Sequence, residues 1–214
     1  EEMGRITVDN DLNQMWSTAV LEIDPHGNDD GYPLVVWEWH LWDHLIQDVD
    51  STLSNYGVVA NHPELQDINF GSVGNSGGPG GANANADWKH CNAIAYNDEL
   101  DQIALSSRHH GEVYIIDHST TTEEAAGNTG GNSGKGGDYL YRWGNPQVYK
   151  RGTPADQKLT HQHGVNWIPE GYPGSGNLIL FNNDYVSAGQ QSRSAIFEIE
   201  TPLNGDGTYH LEPG

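Results

Sequence analysis

The sequence predicts an all-β protein of the β-propeller type, from a repeated order of short strands, abundant glycine and many aromatic residues. Glycine accounts for 27 of the 214 residues, and the chain contains 7 Trp and 10 Tyr. Short apolar runs alternate with turns rich in Gly, Asn, Asp and Pro, as expected for β-strands joined by tight connections. Four short antiparallel strands in succession make up one blade of a propeller.

The clearest predicted blade lies between residues 90 and 145. We expect a turn at Asn97-Asp98-Glu99 between its first two strands and a break at Gly111 before its third. Its four predicted strands are His90–Tyr96, Gln102–Arg108, Glu112–Asp117 and Tyr139–Trp143.

The flanking segments repeat this strand order incompletely. A following unit has predicted strands at 163–168, 177–182 and 195–200, with a closing strand near 209–211, and a preceding unit has strands at 18–24 and 34–40. This amounts to about three blades, whereas rings close with roughly 4–8 blades. We therefore expect residues 1–214 to form a partial propeller domain.

Two long insertions interrupt the pattern, at about 51–86 and 119–138. The first includes the Gly/Asn/Ser-rich stretch 71–85, and the second is rich in Thr, Gly and Asn. Because neither shows a helical or strand periodicity, both are predicted to be long surface loops. Loops of this length in a compact domain are commonly functional.

The charge and the apolar pattern exclude several classes of partner. Nine Lys and Arg against 30 Asp and Glu give a net charge of −21. Such a chain repels nucleic acid, and no apolar run approaches the ~18 residues of a membrane-spanning helix. The single cysteine, Cys91, excludes an internal disulfide. Association of several copies of the chain is compatible with the sequence.

The chain contains eleven histidines, and several stand at predicted strand ends beside tryptophan. His40 ends one strand, and Asp43-His44 follows it, where a carboxylate beside an imidazole can set its tautomer. This pair is equally compatible with a capping aspartate and a hydrogen-bonded histidine at a turn.

A second cluster combines an imidazole, an amide and a guanidinium. His90 and Asn92 share one face of a strand, since residues i and i+2 point the same way. An antiparallel hairpin would bring Arg108 beside His90. Together they suit a tetrahedral oxyanion, because arginine presents a planar fork of donors. Taken alone, Arg108 equally fits an ordinary surface ion pair.

A third cluster, His161-Gln162-His163, opens the following unit. His163 is expected to occupy the place in its blade that His90 occupies in the preceding one, so that both line a shared channel. The His-x-His spacing also fits Zn or Cu chelation, although no third soft ligand is nearby. We therefore assign no metal ligand, and we interpret the adjacent His109-His110 pair as a solvated turn.

Several of these stretches resemble the bacterial arylsulfate sulfotransferase family, over residues 36–200. The resembling stretches are Asp87–Asn92 (DWKHCN), Asp101–Arg108 (DQIALSSR), Ile115–Asp117, Trp143-Gly144, Gln162-His163 and Asn177–Asn182. The resemblance implies a six-bladed propeller that moves a sulfuryl group from a phenolic sulfate ester to a phenol, without a cofactor. It also implies a periplasmic or secreted location.

The resemblance also implies roles for individual residues. His163 is similar to the family's transiently sulfated nucleophile, and His90, Asn92 and Arg108 are similar to its sulfate-holding group. His44 most resembles the remaining catalytic histidine, and His40 competes with it as a substrate-binding residue. We expect His90, Arg108, His163 and one of His40 or His44 to converge on one channel mouth.

Two other functions remain open from the sequence. A non-catalytic propeller could bind a sulfated or otherwise anionic ligand, because one fold hosts many functions. A metal-dependent hydrolase could use His90, His161 and His163 as ligands. A binding propeller has no need of the predicted nucleophile His163, whereas a transferase does. Metal analysis of the purified protein tests the hydrolase.

Overall fold

The computed structural model describes residues 3–8, 10–27, 31–74, 85–185, 193–201, 203–204 and 209. Within them the fold is all-β, with eleven strands and a single four-residue α-helix, α1 (Thr122–Ala125). The strands are β1 (Ala19–Asp24), β2 (Leu34–His40), β3 (Leu45–Ile46), β4 (Gln66–Asp67), β5 (Cys91–Asn97), β6 (Gln102–Ser107), β7 (Glu112–Asp117), β8 (Tyr141–Trp143), β9 (His163–Trp167), β10 (Leu178–Tyr185) and β11 (Arg193–Ile199).

The predicted central unit is a four-stranded antiparallel sheet in the order β5-β6-β7-β8. The β7 bounds are those predicted, whereas β5 begins one residue later because His90 has a left-handed backbone with φ of 49°. Every residue of β6 and β7 is buried, as expected for central strands covered on both faces. β5 keeps partly exposed residues and lies against β9 of the next sheet.

The other strands form three further sheets. β9, β10 and β11 make an antiparallel sheet in the order β11-β10-β9, β1 pairs antiparallel with β2, and the two-residue strands β3 and β4 pair in parallel. None of these sheets closes on itself within the described residues. Tyr209, at the predicted closing strand, forms an isolated bridge with Leu203, and residues 210–211 lie outside the described part. The number of blades stays a prediction.

The described parts of the two insertions run over the surface for much of their length, and a few buried residues anchor each of them. The first contains β4 and a 3₁₀ turn at Val59–Asn61, and it buries Ile68 and Val73; residues 75–84 lie outside the described part. The second contains α1, capped by Thr121 and Glu124 in a reciprocal capping box. The few apolar residues in each insertion are enough to anchor it, although their spacing shows no periodicity.

A buried polar network joins the central sheet to the first insertion. Arg142 donates to both carboxylate oxygens of Glu112, at 2.9 and 2.6 Å, and to the carbonyl oxygens of Pro63 and Leu65 at 3.0 and 2.9 Å. Burial alone would lower the pKa of Arg142, but the adjacent Glu112 carboxylate raises it. The paired charges therefore fix the sheet against residues 63–65. Among the described helical segments, none has the length and apolar character needed to cross a bilayer.

Candidate functional site

The open end of the β5–β6 hairpin places His90 beside Arg108. The backbone N–H of Arg108 donates to the carbonyl oxygen of His90 at 3.1 Å, an ordinary hydrogen-bond distance. Cys91 pairs with Ser107 in the next register position. His90 is exposed, and its Nδ1 contacts the carboxylate of Asp87. The hairpin thus brings an imidazole and a guanidinium to one rim, as its predicted geometry requires.

Asn92 reaches from this rim to the next sheet. Its side-chain amide donates to the carbonyl oxygen of Gln162 at 2.8 Å. The fully buried Gln162 in turn donates to the carbonyl oxygens of Ser107 and Glu112, at 2.8 and 3.0 Å. These bonds tie the start of β9 to the central sheet. Asn92 therefore acts here as a connection between sheets, a role that the sequence did not predict.

His163 begins β9 and has one ring nitrogen held in place. Its Nδ1 lies 3.0 Å from the carbonyl oxygen of His161 and 2.8 Å from the side-chain nitrogen of Asn183. When Nδ1–H donates to the His161 carbonyl, Nε2 carries the lone pair of a neutral imidazole, whereas when the Asn183 amide donates to Nδ1, Nε2 carries the hydrogen. No contact within the described residues engages Nε2. A half-buried histidine held in this way is suited to act as a base or nucleophile.

The structural counterpart of His90 in the next sheet is His161, and not His163 as the sequence led us to expect. His90 and His161 both have a left-handed backbone, with φ of 49° and 55°, one residue before β5 and two residues before β9, respectively. Each also contacts an aspartate through Nδ1, Asp87 for the first and Asp184 for the second. His163 therefore corresponds to Asn92, two residues further along.

His44 is enclosed, which does not fit the expectation that it faces a channel mouth. Only 1% of the residue is exposed, and its ring stacks on Trp39 with centroids 5.6 Å apart. Both ring nitrogens are in hydrogen-bond contact with oxygen, Nδ1 with Asp138 and Nε2 with the carbonyl of Ala125, each at 2.8 Å. The side chain fixes the second insertion onto β2, and within the described part of the chain it is closed off from solvent.

His40 remains at the surface at the end of β2. Its Nε2 lies 3.2 Å from the Glu38 carboxylate, and its backbone pairs with Ala19. No contact recorded among the described residues joins it to His90, Arg108 or His163. Its assignment as a substrate-binding residue stays a prediction.

A polar cavity of about 620 Å³ opens beside this rim. Its walls include Arg108, His109, His110 and His161, together with Asn145 and Gln147. The pair interpreted as a solvated turn is thus part of the wall: His110 is 1% exposed and meets the ring edges of Phe70 and Trp88. Burial, followed by the nearby positive charges of Lys89 and Arg142, holds the pKa of His110 well below its ordinary value.

The histidines that the sequence suggested as metal ligands do not gather into one set. Within the described residues, the three-residue group with metal-compatible spacing is Asp87, His90 and His109, whose donor atoms all lie within 4.8 Å of one another. His161 and His163 are not part of it. The signal available in the sequence was the aspartate three residues before His90.

Comparison with known proteins gives a family. The family model described as arylsulfotransferase (ASST) matches residues 4–201. No curated protein and no solved structure matches the chain. The match covers most of the sequence, including the β5–β6 hairpin and β9, which carry the candidate site. The chain therefore belongs to the arylsulfotransferase family.

Proposed function

We propose that the protein transfers a sulfuryl group from a phenolic sulfate ester to a phenol acceptor through a sulfated His163. Family membership supports sulfotransferase activity in general. The finer proposal takes the tautomer in which His163 Nδ1–H donates to the His161 carbonyl, because that contact leaves the Nε2 lone pair available as the nucleophile.

In the first step, the Nε2 lone pair attacks sulfur. An N–S bond forms, the S–O bond to the aryl group breaks, and the phenolate departs with the electron pair. The His161 carbonyl accepts from Nδ1–H and so stabilises the positive charge that develops on the ring. A phenolate needs little protonation compared with an alkoxide. The enclosed His44 is therefore not required as an acid.

In the second step, the oxygen of the acceptor phenol attacks the same sulfur. The N–S bond breaks, its electron pair returns to Nε2, and the phenol proton passes to solvent or to the departed phenolate. Because the donor product leaves before the acceptor reacts, the kinetics should be ping-pong. Neither a nucleotide nor a metal enters either step.

The negative charge on the sulfuryl oxygens requires donors at the rim. Arg108 is the strongest candidate, since its guanidinium offers several donors in one plane. His90 lies beside it in the hairpin and would donate from Nε2 when its ring is protonated. Asn92 has one amide hydrogen committed to Gln162 and a second that can face a ligand. These groups would stabilise the transition state electrostatically.

Two further aspects of the proposal follow from the family rather than from the geometry. Donor and acceptor would be small aryl compounds, and the protein would work in the periplasm or outside the cell. A propeller that only binds an anionic ligand is the competing function. It would use Arg108 and His90 in the same way and would have no need of a nucleophile.

The test is mass spectrometry of the intact protein and its peptides after incubation with an aryl sulfate and no acceptor. We expect one sulfuryl group on His163, its loss on addition of a phenol, and no labelling in His163→Ala. His62→Ala is the matched control, because His62 is a partly exposed histidine paired with Glu64. Labelling that persists in His163→Ala, or a protein that binds aryl sulfate without ever becoming labelled, would overturn the proposal.

A further inference from the structure

We infer that Asp87, His90 and His109 form a binding site for a divalent transition metal such as Zn²⁺. Two imidazoles and one carboxylate suit Zn, Co or Ni better than Ca or Mg, which prefer oxygen ligands. The three donor atoms lie within 4.8 Å of one another. A tetrahedral site with bonds of about 2.0–2.2 Å requires these side chains to rotate, because Asp87 Oδ2 is hydrogen-bonded to Nδ1 of His90 in the absence of an ion.

Asp87 and His90 are already held together. The backbone of Asp87 bridges to Trp16, its Oδ1 accepts from the backbone N–H of His90 at 3.0 Å, and its Oδ2 contacts Nδ1 of the same residue. The His90 side chain is 44% exposed and that of Asp87 28%, so both can adjust to an ion. Their exposure also leaves room for water at the remaining coordination position, as in an open zinc site.

His109 supplies the third donor from the turn that follows β6. Its backbone N–H donates to the Lys89 carbonyl at 3.2 Å, and its ring centroid lies 4.9 Å from that of His90. The ring also makes a hydrogen bond to the backbone of Trp88. Metal-binding histidines commonly use the second ring nitrogen in this way, which fixes the orientation of the first.

The next sheet provides an internal comparison. His161 and Asp184 repeat the His90–Asp87 pair, with the same backbone conformation and the same use of Nδ1. No third histidine or carboxylate joins that pair with metal-compatible spacing in the described part of the chain. Two ligands bind a metal more weakly than three, so we expect binding at Asp87, His90 and His109 and not at His161 and Asp184. The net charge of −21 favours cation binding at both.

Occupation of this site would remove His90 from the sulfuryl-holding group. When His90 coordinates the ion through Nε2, that nitrogen has no hydrogen to donate to the sulfuryl oxygens, and we therefore expect Zn²⁺ to inhibit transfer in competition with the aryl sulfate. Only this consequence rests on the proposed function. The metal site itself is tested without any substrate.

The binding test is a titration of the purified protein with Co²⁺, followed by its visible absorption, with Zn²⁺ displacement to obtain the Zn²⁺ affinity. We expect one site, and we expect Asp87→Asn and His109→Gln each to weaken binding at least about tenfold. Asp184→Asn is the matched control and should bind as the unaltered protein does. Equal binding by all four proteins, or loss of binding in Asp184→Asn alone, would overturn the inference.

A second measurement separates this inference from the proposed function. Zn²⁺ should inhibit transfer by the unaltered protein, and His109→Gln should need a higher concentration for the same inhibition. Binding that is lost in the two variants supports the metal site whether or not transfer occurs. If Zn²⁺ binds there and transfer continues unchanged, the part assigned to His90 in the reaction fails while the metal site stands.

Discussion

His90 and His161 share a left-handed backbone conformation and the same partner type, an aspartate bonded through Nδ1. The residue two positions later is an amide in one sheet, Asn92, and an imidazole in the other, His163. An amide nitrogen has no lone pair available to attack sulfur, whereas a neutral imidazole nitrogen does. Under the proposed function, these two matching positions would supply a nucleophile, His163, and a neutral donor, Asn92.

Arg108 is the proposed donor to the sulfuryl oxygens, and its replacement therefore tests the reaction kinetics. Arg108→Ala should lower the rate of sulfuryl transfer by about 10²–10³, the typical cost of removing one donor to a developing oxyanion. Labelling of His163 should still occur, only more slowly. Arg108→Lys should recover part of the rate, because an ammonium lacks the planar fork. Release of a coloured phenol from an aryl sulfate measures both effects.

Lys135→Ala is the control for the Arg108 measurements. Lys135 is an exposed cation in the second insertion, so its removal changes the net charge equally without touching the rim. Its rate should stay within about twofold of the unaltered value, since surface substitutions away from special features have small effects. A rate for Arg108→Ala equal to that of Lys135→Ala would show that Arg108 is a surface ion-pair residue.

His44 should matter for stability and not for chemistry. His44→Ala removes two hydrogen bonds and the ring stacked on Trp39, and it leaves the Asp138 carboxylate without that partner. We expect a loss of about 2–4 kcal/mol in the free energy of unfolding, measured in urea. The partly exposed control His62→Ala should change it by less than about 0.5 kcal/mol. A folded His44→Ala protein with strongly reduced transfer would restore a catalytic role for His44.

The strands were predictable where local chemistry alone decides them. Glu112–Asp117 and Leu34–His40 begin and end where the β-branched and aromatic runs do. The insertions were not predictable, because their structure depends on distant partners. The buried carbonyl of Gly137, for example, accepts from the indole of Trp39, a contact that no spacing in the sequence indicates.

The site was predictable as far as strand pairing determines it. The antiparallel hairpin requires His90 and Arg108 to be neighbours, and they are. The sequence did not indicate that His161 matches His90, since a left-handed φ is uncommon at non-glycine residues and the sequence does not show which of eleven histidines adopts it. It also misplaced His110, because burial between Phe70 and Trp88 arises only when the first insertion folds over the hairpin.

The buried ion pair offers a stability prediction. Glu112 and Arg142 have side chains that are 0% and 1% exposed. Glu112→Gln leaves the guanidinium in the interior without its counter-charge, and we expect a loss of about 3–5 kcal/mol in the free energy of unfolding. Replacing both, as Glu112→Gln with Arg142→Met, should cost less than the sum of the two single changes, because neither charge is then left unpaired.

The matched control for this pair lies at the surface. Lys150 contacts Asp48 at 2.7 Å, with side chains 44% and 32% exposed. Solvent and salt screen such a pair, so Asp48→Asn should change stability by less than about 1 kcal/mol. Urea unfolding of both variants gives the comparison. Equal losses in Glu112→Gln and Asp48→Asn would mean that the buried pair contributes no more than the exposed one.

Lys89 should make stability depend on pH above neutrality. Burial lowers the pKa of its ammonium from 10.5 to about 7, and its Nζ lies 2.7 Å from Gln66 Oε1 and 2.6 Å from the Tyr114 hydroxyl. Between these two pKa values the unfolded chain binds a proton that the folded protein does not, so raising the pH stabilises the folded state. From pH 7 to 9 we expect the free energy of unfolding to rise relative to Lys89→Met, with a slope of up to about 1.4 kcal/mol per pH unit. The buried tyrosines are present in both proteins, so their titration cancels in the difference.

Lys158→Met, an exposed control, should give a flat difference over the same range. A flat difference for Lys89→Met as well would show that the buried amine keeps an ordinary pKa.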